Sequence, residues 1–426
     1  MTILQESVVW GDENSNVQLK KYFNLYPDIK IFIDIPSSYG VNNKKIFKLY
    51  NKTYDVSNCA TDIKMKSVLY NSCGSLTFKL IHEDCQKLFT AGCRVRLYLD
   101  NRCWFCGWIF TTKHGGKADM SVTCFDWLRY FKVPLTYGKS QLKTEDGTQG
   151  LPASDIFKKI CQDLAIPFDV YTNSVTPVPA QNWTQKTAFQ ILEFAINQTL
   201  INSDENNRKY FMYLHETNFE EDEGKDFLDT TLYKTSGNLT WYCRNVMTVD
   251  TLIDDDMLCG YDFEESIDKQ TYNEIIVYKD NKTFLSKTGK TLKRGKKTGT
   301  QTKKIAHDDV HKGLYGYLPY YHKAPDSYTE AQMQKVANEL LKVTDRPTNE
   351  LNLKCYGIIG MKVGYLVPVL IKDIAGTSIG QLVTNEETGE QELKPVYRTV
   401  EQCEMIIEHP LKMNLKLSSG TFNEVQ

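Results

Sequence analysis

No apolar run in this 426-residue sequence approaches the roughly 20 residues that a bilayer-spanning helix needs, so no membrane anchor is expected. The opening stretch, MTILQESVVWGDENSN, lacks the basic start and apolar core of a secretory signal. A protein made in a reducing cytoplasm is the expectation, with its twelve cysteines kept as free thiols that pack as small hydrophobes. Neither charge sign dominates: 51 basic residues face 53 acidic ones, a net charge of -2. That balance supplies no global field toward a polyanion, and no specific nucleic acid partner is expected. A second C-x-x-C pair is missing, as is any pair of carboxylates or any nucleophile with a base at telling spacing. The sequence therefore offers no catalytic residues, no metal ligands and no cofactor site.

What is present is strand-forming sequence. IKIFIDI (29–35), SLTFKLI (75–81), CRVRLYLD (93–100), RCWFCGWIF (102–110) and DMSVTCF (119–125) alternate with period 2 between Gly, Asn and Asp turns. An antiparallel barrel or sandwich is their natural closure. The character changes near Pro134. SDIFKKICQDLA (154–165) places Ile156, Ile160, Cys161 and Leu164 on one helical face, and Pro167 ends it. TQKTAFQILEFAINQTL is expected to be a helix capped by Thr184, with Ala188, Ile191, Leu192, Ala195 and Ile196 as its apolar stripe. The strands KYFMYLHE and NLTWYC complete an α+β middle, and the acidic run EEDEGKDFLD within it reads as a solvated loop.

Strand character returns at YNEIIVYKD (272–280). A polar loop follows at 287–304, KTGKTLKRGKKTGTQTKK, with eight Lys or Arg, three Gly and no acid. Its residues Lys287, Lys290, Lys293, Arg294, Lys296 and Lys297 form a candidate partner-contact loop, although no aromatic residues interleave with the lysines as single-strand binding would want. SYTEAQMQKVANELLK carries Met333, Val336, Ala337, Leu340 and Leu341 on one face, with Ser327 and Glu330 at capping-box spacing. NELNLKCYG, YLVPVLI, EMIIEH and LKMNLKL read as closing strands, the last with Leu411, Met413, Leu415 and Leu417 on one side. The expected organisation is mainly β with an α+β middle domain: residues 1–135, 136–243 and 244–426. A repeat links the outer parts, because SLTFKL leads to AGCRVRLYL as ELNLKC leads to VGYLVPVLI.

Three motifs imitate chemistry. In CWFCGWIF, strand alternation puts Trp104, Cys106, Trp108 and Phe110 on one face and Cys103, Phe105, Gly107 and Ile109 on the other. The two thiols are then expected on opposite sides, unable to share a metal. HDDVH (307–311) resembles a zincin helix but is followed by Gly313 and Gly316, so it reads as a polar turn. FLSKTGKT (284–291) has Phe284 where a phosphate-binding loop needs glycine. TLIDDDML reads as a turn.

The order of these elements resembles the baseplate hub proteins of contractile phage tails and phage-tail-like bacteriocins, of the XkdQ/YqbQ type within the late-control-D hub superfamily. The resemblance is carried by CGSLTFKL with FTAGCRVRLYLDNRCWFCGWIF, by VTCFDWLRYF, by QTYNEIIVYKD, by HDDVHKGLYGYLPYYHKAPDSYTEAQMQKVANELL and by IIEHPLKMNLKL. It implies two β-barrel-like tube domains flanking the smaller α+β domain. It also implies a homotrimer whose barrels form a pseudo-sixfold ring, with the tail tube protein and the spike protein as partners. Tape-measure and other baseplate proteins are further candidates. The expected place is the baseplate of a phage or phage-tail-like particle assembled in the bacterial host cytoplasm. A cell-wall hydrolase component of a tail and a receptor-binding fibre are the alternatives. The first would need a carboxylate pair or nucleophile set, the second long repetitive strands.

Overall fold

The computed structural model describes residues 3–9, 18–23, 26–42, 45–69, 72–100, 102–116, 118–171, 173–202, 210–215, 238–243, 249, 251–268, 271–283, 296–324, 328–345, 348–359, 361–374, 377–384 and 391–419. The chain is mainly β and divides into two compact units, one of residues 1–262 with 351–420 and one built on residues 263–350.

The first unit is organised by one large, mostly antiparallel sheet. Its N-terminal strands are β1 (Ile29–Asn42), β2 (Lys45–Asp55), β3 (Ala60–Val68), β4 (Ser75–Ile81), β5 (Arg94–Leu99), β6 (Arg102–His114) and β7 (Asp119–Phe125). β8 (Ile253–Asp254) belongs to it as well, β9 (Leu258–Ser266) runs from the first unit into the second at Phe263, and the second unit holds β10 (Glu274–Thr283), β11 (Lys296–His307) and β12 (Pro319–Lys323). β13 (Thr348–Tyr356), β14 (Leu366–Ile374), β15 (Val396–Ile407) and β16 (Lys412–Ser419) return to the large sheet.

The repeat read from sequence is a duplication of topology. Six early strands lie side by side as β3-β4-β7-β6-β5-β1, and six late ones as β9-β13-β16-β15-β14-β8. Numbered by chain order, both sets run second, third, sixth, fifth, fourth, first. The sets differ in one direction: β1 is antiparallel to β5, whereas β8 is parallel to β14. Finer geometry repeats as well. β6 inserts Phe110 as an extra residue against β7, and β15 inserts Glu401 at the same place against β16. Gly92 and Gly364 precede the equivalent strands β5 and β14 with φ of 94° and 83°. That region is open to glycine and costly for other residues. Their N–H groups donate to the carbonyls of Ile109 and Val400, each at 2.8 Å.

Among the described residues the sheet is an open path from β9 to β2, with no pairing that closes either set on itself. The reason is that β3, which the sequence reading missed, joins the two sets. ATDIKMKSV alternates cleanly only over Ile63–Lys66, because the register slips between Thr61 and Lys64. Its register is nonetheless fixed on both sides, against β4 and β15. The core follows the pleat: Leu76, Phe78, Leu80, Val95, Leu97, Met120, Val122 and Cys124 pack together with Met405, Ile407 and Leu411. The predicted one-sided row Leu411, Met413, Leu415 and Leu417 is buried throughout.

The middle residues build a second core around α1 (Ala153–Asp163) and α2 (Ala188–Asn202), where Phe131, Phe157, Ile160, Leu192 and Trp241 meet. α2 begins three residues later than a cap at Thr184 implies. Residues 183–187 instead pair as a strand with Pro134–Tyr137. Thr187 takes the capping role: Gln190 N–H donates to its Oγ1 at 3.2 Å, and its own N–H donates to Gln190 Oε1 at 3.1 Å. The run EEDEGKDFLD lies outside the described residues.

In the second unit β10 lies between antiparallel β11 and parallel β12. HDDVH is not a turn: His307 ends β11, and Asp308 caps the short helix α3 (Asp309–Tyr315) by accepting from the N–H groups of Val310 and His311. α4 (Glu330–Thr344) packs on β10 and β11 through Met333, Val336 and Ala337. Its capping box is Thr329 with Gln332 rather than Ser327 with Glu330, shifted two residues because Glu330 is already in the first turn and bonds Lys304 at 2.8 Å.

Candidate functional site

The two strand sets meet along one seam, and it is the feature of the first unit with the plainest assembly geometry. The C-terminal half of β15 pairs antiparallel with β3 from Gln402 opposite Val68 to Ile407 opposite Ile63. The bulge at Glu401 turns the strand so that its N-terminal half serves β14 while its C-terminal half serves β3. Leu69 N–H donates to the Glu401 carbonyl at 2.8 Å. Met405 sits opposite Met65, and Glu404 opposite Lys66, a charge pairing of the kind that fixes register. Met405 and Ile407 belong to the same packed cluster as Ile63, Leu76 and Phe78, so the seam is as dry as the core on either side.

On the opposite face of β5, a charge cluster is sealed from solvent. Asp34 on β1 takes Arg94 Nε at 2.7 Å and Arg96 Nε and Nη2 at 3.0 and 2.9 Å. Thr53 Oγ1 donates to Asp34 Oδ1, the oxygen that also takes Arg96 Nη2, at 2.7 Å, and Arg96 Nη1 donates to Tyr98 Oη at 3.2 Å. Burial pushes the Asp34 carboxyl up, but the Arg94 and Arg96 guanidiniums outweigh that and hold it below its ordinary value. The pattern R-V-R-L-Y in β5 alternates these polar residues with Val95, Leu97 and Leu99. Burial on both faces, which pairwise spacing does not reveal, turns the arginines into an internal latch.

The cysteines of CWFCGWIF lie beside this latch. β6 bulges at Trp104, because Phe105 faces Leu97 while Cys103 faces Tyr98. The extra residue reverses the alternation, so Cys103 and Cys106 share the face of Arg96 and Tyr98 instead of opposing each other. Both are free thiols. Burial pushes the Cys106 thiol up to about 11, the state of a packing group and not of a nucleophile.

A second buried acid, Asp126, caps the turn Trp127–Lys132: it accepts from Leu128 N–H at 3.0 Å and from Gly74 N–H at 2.9 Å. Burial raises its carboxyl to about 7, against the pull of those two hydrogen bonds. A side chain on Gly74 would strike its carboxylate, which is why the tight approach needs glycine here.

In the second unit, Asp308, His311 and Asp345 bring one ligand atom each to within 4.8 Å of one another. Asp308 Oδ2 lies 2.8 Å from His311 Nδ1. That contact follows from the N-cap: Asp308 Oδ1 holds the first turn, which brings the side chain three residues on alongside its second oxygen. The set has the residue types that could hold a divalent cation, and His307 takes no part in it.

The candidate basic loop divides. Lys287, Lys290, Lys293 and Arg294 lie outside the described residues. Lys296 and Lys297 do not lie in a loop: they begin β11, opposite Thr283 and Lys282 of β10. Residues 296–304 are thus ladder, because TGTQTKK is rich in β-branched Thr and its lysines sit on a strand with solvent beside it.

The chain can be compared with known proteins on this basis. A family model described as YQBQ-like matches residues 63–388. Among solved structures, the 43 kDa tail protein of prophage MuSo2 from Shewanella oneidensis is 12% identical, covers 92% of this chain and 98% of its own, and superposes with a TM-score of 0.53. A tail protein from Neisseria meningitidis MC58 is 13% identical, with 92% and 97% covered and a TM-score of 0.52. At such identities the likeness is one of fold. No curated protein sequence matches.

Proposed function

The chain belongs to the YQBQ-like family, and from that premise we propose that it is a structural hub of a contractile tail baseplate, without catalytic activity. Three copies form a ring that adapts a hexameric tail tube to a trimeric spike. The observation that carries this reading is the duplicated strand set: two modules of the same strand order in each chain supply six similar modules from three chains. Each module is read as one barrel-like tube domain, residues 1–135 and 244–426, with residues 136–243 as the α+β domain between them. The ring presents near-sixfold contacts to the tube and threefold contacts to the spike. Tape-measure and other baseplate proteins are its further neighbours, within a phage or phage-tail-like particle.

The seam between β15 and β3 supports a load-carrying role, since it merges both modules into one hydrogen-bonded sheet with a shared core. The test is the mass of the purified chain with and without its cognate spike and tube proteins, followed by incubation with purified peptidoglycan. A trimeric complex that leaves peptidoglycan intact supports the reading. A monomer that ignores both partners and cleaves cell wall at catalytic rates overturns it in favour of a hydrolase.

A further inference from the structure

We propose that neighbouring copies of this chain join by antiparallel pairing of the C-terminal half of β6 with β9 of the next copy, repeating between chains the seam that β15 and β3 make within one. The inference rests on the hub reading and adds the strands, register and residues that would close the ring.

The duplication supplies the argument. β6 is the counterpart of β15, residue for residue through the bulge: Ile109 matches Val400, Phe110 matches Glu401, and Thr111–His114 match Gln402–Met405. β9 is the counterpart of β3. Each follows a three-residue 3-10 turn, Ser57–Cys59 before β3 and Asp255–Met257 before β9, and each strand is nine residues long. Within the chain, β15 spends its C-terminal half on β3. The counterpart half of β6 has β7 on one side, and β9 stands at the end of the sheet path, paired to β13. Among the described residues, one strand from each module therefore repeats the geometry of a pair that already exists within the chain. A strand edge of this kind is a template for addition of another chain.

Burial marks the same place. In β3, Ile63 and the adjoining Leu69 are 7% and 8% exposed, Ile63 packing in the core cluster that includes Met405 and Ile407 of β15. Their counterparts by position, Tyr261 and Ile267, are 40% and 38% exposed. Among the described residues, large apolar side chains are thus exposed at positions whose counterparts are buried at the internal seam.

Charge identifies the occupant as a second copy. Transferring the intrachain register sets Thr111 opposite Ser266, Thr112 opposite Glu265, Lys113 opposite Glu264 and His114 opposite Phe263 of the neighbour. Lys113 and Glu264 repeat, with signs exchanged, the opposed pair Glu404 and Lys66. β9 is acidic through Asp262, Glu264 and Glu265, while the end of β6 carries Lys113 and His114. The two edges differ, so the contact is heterologous, and it closes only if the rotation between copies returns to the start. Three copies alternating one internal and one external seam give a ring of six modules.

The test uses the full chain with its cognate spike protein, reading mass in solution for the wild type, Lys113→Glu, Glu264→Lys and the double exchange. Both side chains are on strand surfaces, and unfolding temperature is measured for each variant to confirm folding. Each single exchange sets like charges opposite each other and is expected to weaken assembly by about tenfold or more, and the double exchange to restore it. A second measurement pairs Thr112→Cys with Glu265→Cys, which is expected to give covalent dimers and trimers on oxidation, absent from either single variant. A trimer indifferent to all three charge variants and lacking the cross-link would overturn this seam while leaving the hub reading intact. A chain that stays monomeric with spike present would overturn both.

Discussion

Removing Asp34 should expose what the buried latch contributes. Asp34→Ala leaves the Arg94 and Arg96 guanidiniums sealed in the protein without the carboxylate that both bond at 2.7 to 3.0 Å. Breaking a buried ion network by deleting one partner typically costs about 3–5 kcal/mol, because the remaining charge is neither paired nor hydrated. Replacing all three with apolar residues of similar bulk, Asp34→Leu with Arg94→Met and Arg96→Met, removes the uncompensated charge and should recover most of that loss. The assay is denaturant unfolding of the wild type, the single variant and the triple variant. The same series carries a pH signature. The folded Asp34 carboxyl lies below its unfolded value near 4, so its contribution is present above about pH 4 and is lost as pH falls through the lower folded value. That acid limb should be missing from the triple variant. A single variant that loses less than about 1 kcal/mol, or a triple variant no better than the single one, would refute the reasoning.

Asp126 should act in the opposite sense. Its folded carboxyl is raised to about 7, so its favourable contribution is complete below about pH 4 and is lost as pH rises through 7. Stability curves of the wild type should slope downward across that window, and Asp126→Asn should flatten them. Thr329→Ala should cost about 1 kcal/mol through loss of the α4 cap, read by thermal unfolding. An unchanged midpoint would mean that Gln332 N–H is satisfied elsewhere. Trypsin should spare Lys303 and Lys304 in the folded protein, since β11 pairs with β10 through both. Cleavage there as fast as in the unfolded chain would contradict the strand assignment.

The alternating segments were legible because one face of each is buried against a core, so SLTFKLI, DMSVTCF and LKMNLKL declare their pleat directly. β3 was not, since ATDIKMKSV has its core face interrupted by a bulge near Asp62, a residue with φ of 53°. That strand is the seam, and missing it left two separate closures where the chain forms one sheet. The cysteine motif failed for a related reason. Period-2 reasoning assumes no inserted residue, and the bulge at Trp104 moves Cys103 to the face of Cys106. The duplication was visible as two short segments around Gly92 and Gly364. Its depth, down to equivalent bulges, depends on hydrogen-bond registers that pairwise sequence likeness does not carry. The latch of Asp34, Arg94 and Arg96 joins residues about sixty positions apart, beyond any local pattern.

If three copies bridge tube and spike as proposed, their arrangement is visible in the particle itself. Electron cryo-microscopy of the intact particle, with the chain identified by its own density at the tube's end, tests that most directly. The expected result is three copies in a single ring, six β modules around the axis, and continuous sheet from β6 of each copy to β9 of the next. A location away from the tube–spike junction, or a copy number that three does not divide, would contradict it.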